Sequence, residues 1–408
     1  MKKYANYHKH DHISNIFVPD THIKCEDYLK RIKELDYNCY WTTNHGTGGD
    51  IFEARDLCDQ YGIKCFYGLE GYIVKDPYEK DNRNYHIIVI PKTNIARKKL
   101  NLATSRASEE GFYYKPRLFL DDLLRFDSDE LYFTTACVAG IIRDDDGIND
   151  IFLPLLEHFG NNVFLEVQNH NEENQKNIVK KCVEFSNKYN LRLIAANDSH
   201  YIYPEDAKDR LEFLKGKGIN YGDEDSYVLD YPDYDTSVKR FQTQGILTDE
   251  QIFQALDNTR IFEDCEEISL DKNIKMPSAY PTLTADEKIQ ELKLHINEKF
   301  SKIKKDEGIV GEKLNQYLEG IKYEMSIIED TKELNTADYF LLNEKIVDLA
   351  VNKYNGVLTR TGRGSCGGFY INRILGMTQI DRFISPIKLY PERFISTARL
   401  IENHAMPD

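Results

Sequence analysis

Apolar positions along the first 200 residues switch repeatedly between two periods. A helical spacing over 25–35 gives way to a strand-like run over 37–43, and a second helical stretch over 51–61 ends at Gly62 before an apolar run over 63–67. Further short apolar runs over 85–90, 131–136, 163–167 and 191–196 read as strands. Between the last two, residues 173–189 place Ile178, Val179, Cys182 and Phe185 on one helical stripe. This alternation predicts an α/β fold with parallel strands and crossover helices, as either a barrel or an open sheet. From about 205 the pattern breaks into aspartate- and tyrosine-rich loops over 221–234 and short helices near 249–256, and the Pro277 to Pro281 stretch reads as a linker. Residues 286–332 return to helical spacing, with Leu314, Leu318, Ile321, Met325 and Ile328 recurring as a core stripe. The expected organisation is a core at 1–205, an extension and linker at 206–285, and a further domain at 286–408. Its 408 residues are too many for one ordinary domain.

Composition narrows the class. Hydrophobic residues at 41% and aromatics at 12% suit a folded chain. No apolar run is long enough to span a membrane, the polar, His-rich start lacks the apolar region of a secretory signal, and eight scattered cysteines fit reduced thiols; the expected location is the cytoplasm. The net charge of −15 argues against nucleic-acid binding by the chain as a whole, but residues 351–400 reverse it. Lys353, Arg360, Arg363, Arg373, Arg382, Lys388, Arg393 and Arg399 face only Asp381 and Glu392 there, a local field suited to a phosphate-bearing ligand.

The first chemical signal is His8-Lys9-His10. In an extended segment residues i and i+2 point the same way, so both imidazoles can reach one ion. Four strand-like runs then end near ligand-type residues: His45, Glu70, Cys137, and Asp198 with His200. In parallel α/β architectures that end of the strands is the ligand-binding face. Mixed N, O and S donors suit zinc, manganese or iron. His22 and His170 match no pattern and read as surface residues.

The second signal is Thr361-Gly362-Arg363-Gly364-Ser365-Cys366-Gly367-Gly368, between strand-like 356–359 and an apolar helical run over 369–375. Glycines admit an anion to the backbone, and a helix N-terminus and an arginine fork hold it. The spacing is neither a Walker A motif nor a dinucleotide-binding fingerprint.

The run His8-Lys9-His10-Asp11-His12-Ile13-Ser14, with Thr43-Asn44-His45-Gly46, Gly68-Leu69-Glu70, Ala136-Cys137-Val138-Ala139-Gly140 and Asn197-Asp198-Ser199-His200-Tyr201, resembles the ordered motif set of PHP domains. That resemblance implies a distorted (β/α)7 barrel holding up to three metals. His8, His10, Glu70 and Asp198 would share one group of ions. His45, His86, Cys137 and His200 would complete the others, with Asp20 as the carboxylate following the HxH. Asn44 stands where the family usually has an acid, which implies weakened activity with metal binding retained. The runs Ala337-Asp338-Tyr339-Phe340, Gly362-Arg363-Gly364-Ser365, Tyr390-Pro391-Glu392-Arg393-Phe394 and Met406-Pro407-Asp408 resemble the opening of the palm of C-family polymerases, the bacterial polymerase III alpha subunits. That resemblance implies template-directed DNA synthesis by a longer parent on primer-template and deoxynucleotides with magnesium. It implies nucleotide phosphate bound at Gly362, Arg363, Gly364, Ser365 and Arg393, and replisome partners such as a sliding clamp or proofreading factor. The family's catalytic aspartates follow the Pro-Asp pair, so none of them is among these 408 residues and this chain alone is not expected to polymerise. The PHP part is expected to act as a 3′–5′ exonuclease or phosphoesterase. The alternatives are a stand-alone PHP phosphoesterase and a non-catalytic PHP module.

Overall fold

The computed structural model describes residues 4–80, 83–220, 227–272, 277–359 and 364–402. It divides into two compact units, Met1–Leu270 and Asp271–Asp408.

Among its described residues the first unit carries eight strands: β1 (Cys39–Trp41), β2 (Lys64–Phe66), β3 (Leu69–Ile73), β4 (Tyr85–Pro91), β5 (Arg117–Leu118), β6 (Leu131–Thr134), β7 (Val163–Gln168) and β8 (Leu193–Ala196). β1 and β2 pair in parallel, and the others form one sheet in the order β5-β3-β4-β6-β7-β8. Isolated bridges close this arrangement on itself. Lys9 bridges Ser199 beyond β8, its amide donates to Thr43 Oγ1 beyond β1 at 3.1 Å, and His45 bridges Glu70 in β3.

Not all strands are parallel as the alternation predicts. β4 runs antiparallel to both β3 and β6. The described residues joining β3 to β4, 74–80 and 83–84, carry no helix, and a connection this short suits a chain that turns back. β3 itself is hidden from a search for apolar runs, because Leu-Glu-Gly-Tyr-Ile holds a buried glutamate and a glycine. Glu70 therefore stands within a strand and not after one.

Helices cover the outside: α1 (Cys25–Glu34), α2 (Ile51–Tyr61), α3 (Asn94–Glu109) and α4 (Glu173–Tyr189). α2 starts where Asp50 accepts from the Glu53 amide and stops at Gly62, whose φ of +63° favours glycine. The stretch beyond 205 holds more helix than its sequence suggests, with Ala207–Gly216 and Tyr234–Gln244 beside Asp249–Asn258. Leu229, Tyr231, Phe241, Ile252, Leu256 and Phe262 from this stretch are buried in the same core as the strands.

The second unit is helical, built on Ala285–Asp306, Gly311–Asp330 and Thr336–Asp348. Asp338, within the palm-like motif, is fully buried and accepts from Lys288 Nζ at 2.6 Å and the Ser278 hydroxyl at 2.9 Å. Residues 355–359 form no strand, and Val357 is 91% exposed, so the strand predicted before the glycine-rich turn is absent. A β-branched apolar run with no neighbouring strand to pair with has no ladder to join. Among the described residues, no helix is long and apolar enough to cross a membrane.

Candidate metal centre

All nine candidate ligands meet at one end of the barrel. His8 and His10 point inward together, while Lys9 between them turns outward to lie over the Tyr40 ring at 3.6 Å. Glu70 is central. Its Oε1 lies 3.4 Å from His8 Nε2 and 3.0 Å from His86 Nδ1, and its Oε2 lies 3.1 Å from His10 Nε2 and 2.7 Å from His45 Nδ1. Asp198 Oδ1 sits 3.2 Å from His8 Nε2 and 3.1 Å from His10 Nε2. Cys137 Sγ lies 3.5 Å from His86 Nδ1. Asp20 Oδ2 lies 2.6 Å from His200 Nε2 and 3.2 Å from His45 Nε2.

Three subsets present ligand atoms within 4.8 Å of one another: His8, His10 and Asp198; His45, Glu70 and His86; and His10, His45 and His200. His8 Nε2, His10 Nε2, His45 Nδ1, Glu70 Oε2 and Asp198 Oδ1 are buried, crowd one another at 2.7–3.2 Å and make no well-aligned hydrogen bond. Buried polar atoms are almost always satisfied, so five such atoms facing one space fit a set of metal ligands.

The turns that deliver these groups are strained. Ala136, just before Cys137, and Asp198 both adopt left-handed φ, +57° and +51°. Such positions cost on the order of 1 kcal/mol each and cluster at functional sites. Gly140 is fixed by a close approach, since a Cβ there would lie 1.9 Å from the Thr135 carbonyl oxygen.

Burial and mutual charge set the protonation. Burial opposes ionisation of Glu70, but His86, His45 and His8 hold its carboxyl well below the usual range. Asp198 is held down in the same way by His8 and His200, and Asp20 by His200, His45 and Arg210. His45 is raised to about 9 by Glu70 and Asp20, against its own burial, while burial dominates at His10 and His86 and lowers both. Burial also raises the Cys137 thiol. Divalent ions entering this cluster would displace protons from the imidazoles and the thiol.

Supporting residues escape sequence reading. The Glu166 carboxylate accepts from His8 Nδ1 at 2.7 Å, the Tyr7 hydroxyl at 2.7 Å, the Thr134 hydroxyl at 2.6 Å and Gln168 Nε2 at 2.8 Å. It thereby turns the lone pair of His8 Nε2 inward. A glutamate inside the apolar run of β7 was its only signal. Asn44 Oδ1 accepts from the Asp11 amide and the Ser14 hydroxyl, both at 2.9 Å. Ser14 Oγ, its own proton used, accepts from His10 Nδ1 at 3.0 Å, so Asn44 orients His10 through Ser14 without a charge. Arg210 donates to Asp20 Oδ1 at 2.6 Å. His170 is not a surface residue: it is buried against Tyr227, and burial lowers it to about 4, whereas His22 is exposed as expected. β7 ends just before it and carries it under the 227–231 segment.

The glycine-rich turn is organised differently from its reading. Gly362 and Arg363 lie outside the described residues, as do Arg360 and Met406 to Asp408. Gly364 has φ of +69°, Ser365 is half-buried and Arg393 is exposed. The first amides of the following helix, Tyr370–Ile374, are occupied: Tyr370 N and Ile371 N both donate to Glu324 at 2.8 Å. Arg382 also binds Glu324, and Arg373 binds Glu307. The basic excess of 351–400 is thus partly neutralised by Glu324 and Glu307, carboxylates from earlier in the chain, which a count along 351–400 cannot register.

Residues 6–170 match the family model described as the PHP domain, and residues 290–408 match the bacterial DNA polymerase III alpha NTPase domain. The DNA polymerase III subunit alpha of Aquifex aeolicus strain VF5 is 26% identical over all of this chain and 36% of its own length. That of Borreliella burgdorferi is 28% identical over 98% of this chain and 34% of its own length. The chain therefore spans about a third of the length of these curated relatives. A solved protein from Bifidobacterium adolescentis, named as a candidate metal-dependent phosphoesterase, aligns over 60% of this chain and 99% of itself, at 13% identity and a TM-score of 0.32. Residues 6–170 thus carry the likeness to the PHP domain and residues 290–408 the likeness to the bacterial DNA polymerase III alpha NTPase domain, and across both the chain is similar to bacterial DNA polymerase III alpha subunits.

Proposed function

We propose that the PHP centre binds zinc or manganese and hydrolyses phosphate esters at DNA 3′ ends, within a protein whose whole chain carries out template-directed DNA synthesis. The observation that carries the first part is the set of five buried ligand-type atoms turned to a common space without a well-aligned hydrogen bond. Imidazole, carboxylate and thiol donors together suit zinc or manganese better than magnesium or calcium. His8, His10, Glu70 and Asp198 would hold one ion, His86 and Cys137 with Glu70 a second, and Asp20, His45 and His200 a third. When bound, such ions lower the pKa of a water and polarise a phosphoryl oxygen. The protein's own contribution is orientation: Glu166 fixes His8, Ser14 with Asn44 fixes His10, and the Asp198 carbonyl, 2.8 Å from Nδ1, fixes His200.

A structural role has one observation in its favour. The Asp20 group is already satisfied by His200, His45 and Arg210, so that corner of the site holds together by its own hydrogen bonds. The second part of the proposal rests on the relatives. In the whole protein, primer-template, deoxynucleotides with magnesium, and partners such as a sliding clamp or proofreading factor would engage the region beyond the PHP domain, in the cytoplasm.

The test is release of nucleotides or phosphate from 3′-labelled single-stranded DNA by the 408-residue chain reconstituted with zinc or manganese. Slow, metal-dependent release is expected, with no primer extension. Asp198→Asn with His200→Ala should abolish release. Persistence at the wild-type rate would assign the activity to a contaminant and favour the structural role.

A further inference from the structure

We propose that Lys115 is the cation that binds a phosphoryl oxygen of the substrate at the metal centre; the proposal rests on the phosphoesterase reading above. A cavity of about 350 Å³ opens over the cluster. Asp20, His45, His86, Cys137, Asp198 and His200 line it, together with Lys115.

Lys115 is placed there by a built turn. Tyr114 before it has a left-handed φ of +60°, and the Tyr113 amide donates to the Lys115 carbonyl at 3.1 Å. Arg117 anchors the same loop through the Gly111 carbonyl at 2.9 Å and the Glu79 carbonyl at 2.8 Å. The Lys115 ammonium rests 4.3 Å from the centre of the Tyr72 ring. Tyr72 stacks in turn on His45, with centroids 5.6 Å apart and planes inclined by 18°. The Tyr72 ring is therefore shared by the ammonium and a candidate ligand, His45.

It is held there half-buried, and among the described residues it forms no ion pair or hydrogen bond. Arg210, another cation close to the cluster, is already committed to Asp20. A half-desolvated ammonium without an ion-pair partner, drawn at longer range by the Glu70 and Asp20 carboxylates, becomes unfavourable beside a centre that gains positive charge on loading with divalent ions. An anion between the two removes both objections. Lysine serves phosphate as a point charge that can follow an oxygen during reaction, whereas contact with the Tyr72 face alone does not require a position at the cavity wall. The ligand class is thus a phosphoryl group: a terminal phosphomonoester or a 3′-terminal phosphodiester.

The experiment uses the full 408-residue chain, metal-free and zinc-loaded, titrated calorimetrically with inorganic phosphate, alongside hydrolysis kinetics on 3′-labelled DNA. Lys115→Ala and Lys115→Gln should weaken phosphate binding by roughly tenfold or more, and Lys115→Arg should retain most of it. Where hydrolysis is measurable, KM should rise in the Ala and Gln variants, with wild-type metal content and an unchanged thermal midpoint showing that the centre is intact. Phosphate binding that is absent in the wild type, or unchanged in both Ala and Gln variants, would overturn the assignment of Lys115. Hydrolysis absent from a wild-type chain that binds phosphate through Lys115 would instead overturn the phosphoesterase reading and leave the anion site standing.

Discussion

Glu70→Ala is expected to empty the metal centre. The Glu70 carboxylate is completely buried and stands within 3.4 Å of four imidazoles, those of His8, His10, His45 and His86. It is the one residue shared by the groups assigned to the first two ions. Loss of an outer-shell partner of a metal site costs about 10- to 100-fold in affinity or activity, and a bridging ligand should cost at least the upper end of that range, about 100-fold. Alanine also removes the charge that balances several imidazoles, and breaking such a buried set costs about 3–5 kcal/mol. Trp41, the only tryptophan, lies in the first unit's core stacked on Phe66, so its fluorescence reports unfolding of that unit. Glu70→Gln separates the two effects, because it keeps the volume and loses the charge. It should fold more stably than Glu70→Ala and still fail to retain metal. A Glu70→Gln protein with wild-type metal content would show that Glu70 is a structural counter-charge only.

Glu324→Ala should destabilise the second unit by a similar amount. The buried Glu324 carboxylate accepts from Tyr370 N, Ile371 N and Arg382 Nε, each at 2.8 Å. Alanine leaves two amides and a guanidinium without their partner, at about 3–5 kcal/mol. The acid limb gives a second readout. Burial pushes the Glu324 pKa from 4.5 up to about 7, although the Tyr370 and Ile371 amides and Arg382 pull it down. The folded unit therefore holds this proton more tightly than the unfolded chain. Its contribution is fully present below about pH 4.5 and is lost as the pH rises through 7, about 3 kcal/mol in all. Far-ultraviolet circular dichroism across that range should show stability falling in the wild type. The slope should vanish in Glu324→Gln, which cannot ionise. A slope that persists in Glu324→Gln would place the titrating group elsewhere.

The two predictions draw on features of very different visibility in the sequence. Glu70 belongs to a set readable from order and residue type, because each motif is local and most of the ligands lie at or near a strand end. Its strand was missed all the same, since a buried glutamate and glycine interrupt the apolar run of β3. Glu324, by contrast, looks like one of many charged positions on a long helix. Its role depends on residues 46 and 58 positions away, and no local pattern carries that. Distance in sequence also hid Glu166 from His8, Arg210 from Asp20, and the acids that neutralise Arg373 and Arg382. His170 read as a surface residue because burial by the 227–231 segment is invisible until the chain has folded back. The antiparallel β4 was equally hidden, since hydrophobic alternation does not encode strand direction.

The central claim is that the PHP residues hold metal. Elemental analysis of the purified 408-residue chain, reconstituted with zinc or manganese and desalted, tests it most directly. The account predicts at least about one bound transition-metal ion per chain, falling to background in the Asp198→Asn, His200→Ala double variant. Retention well below about one ion in the wild type, or equal retention in the double variant, would contradict it.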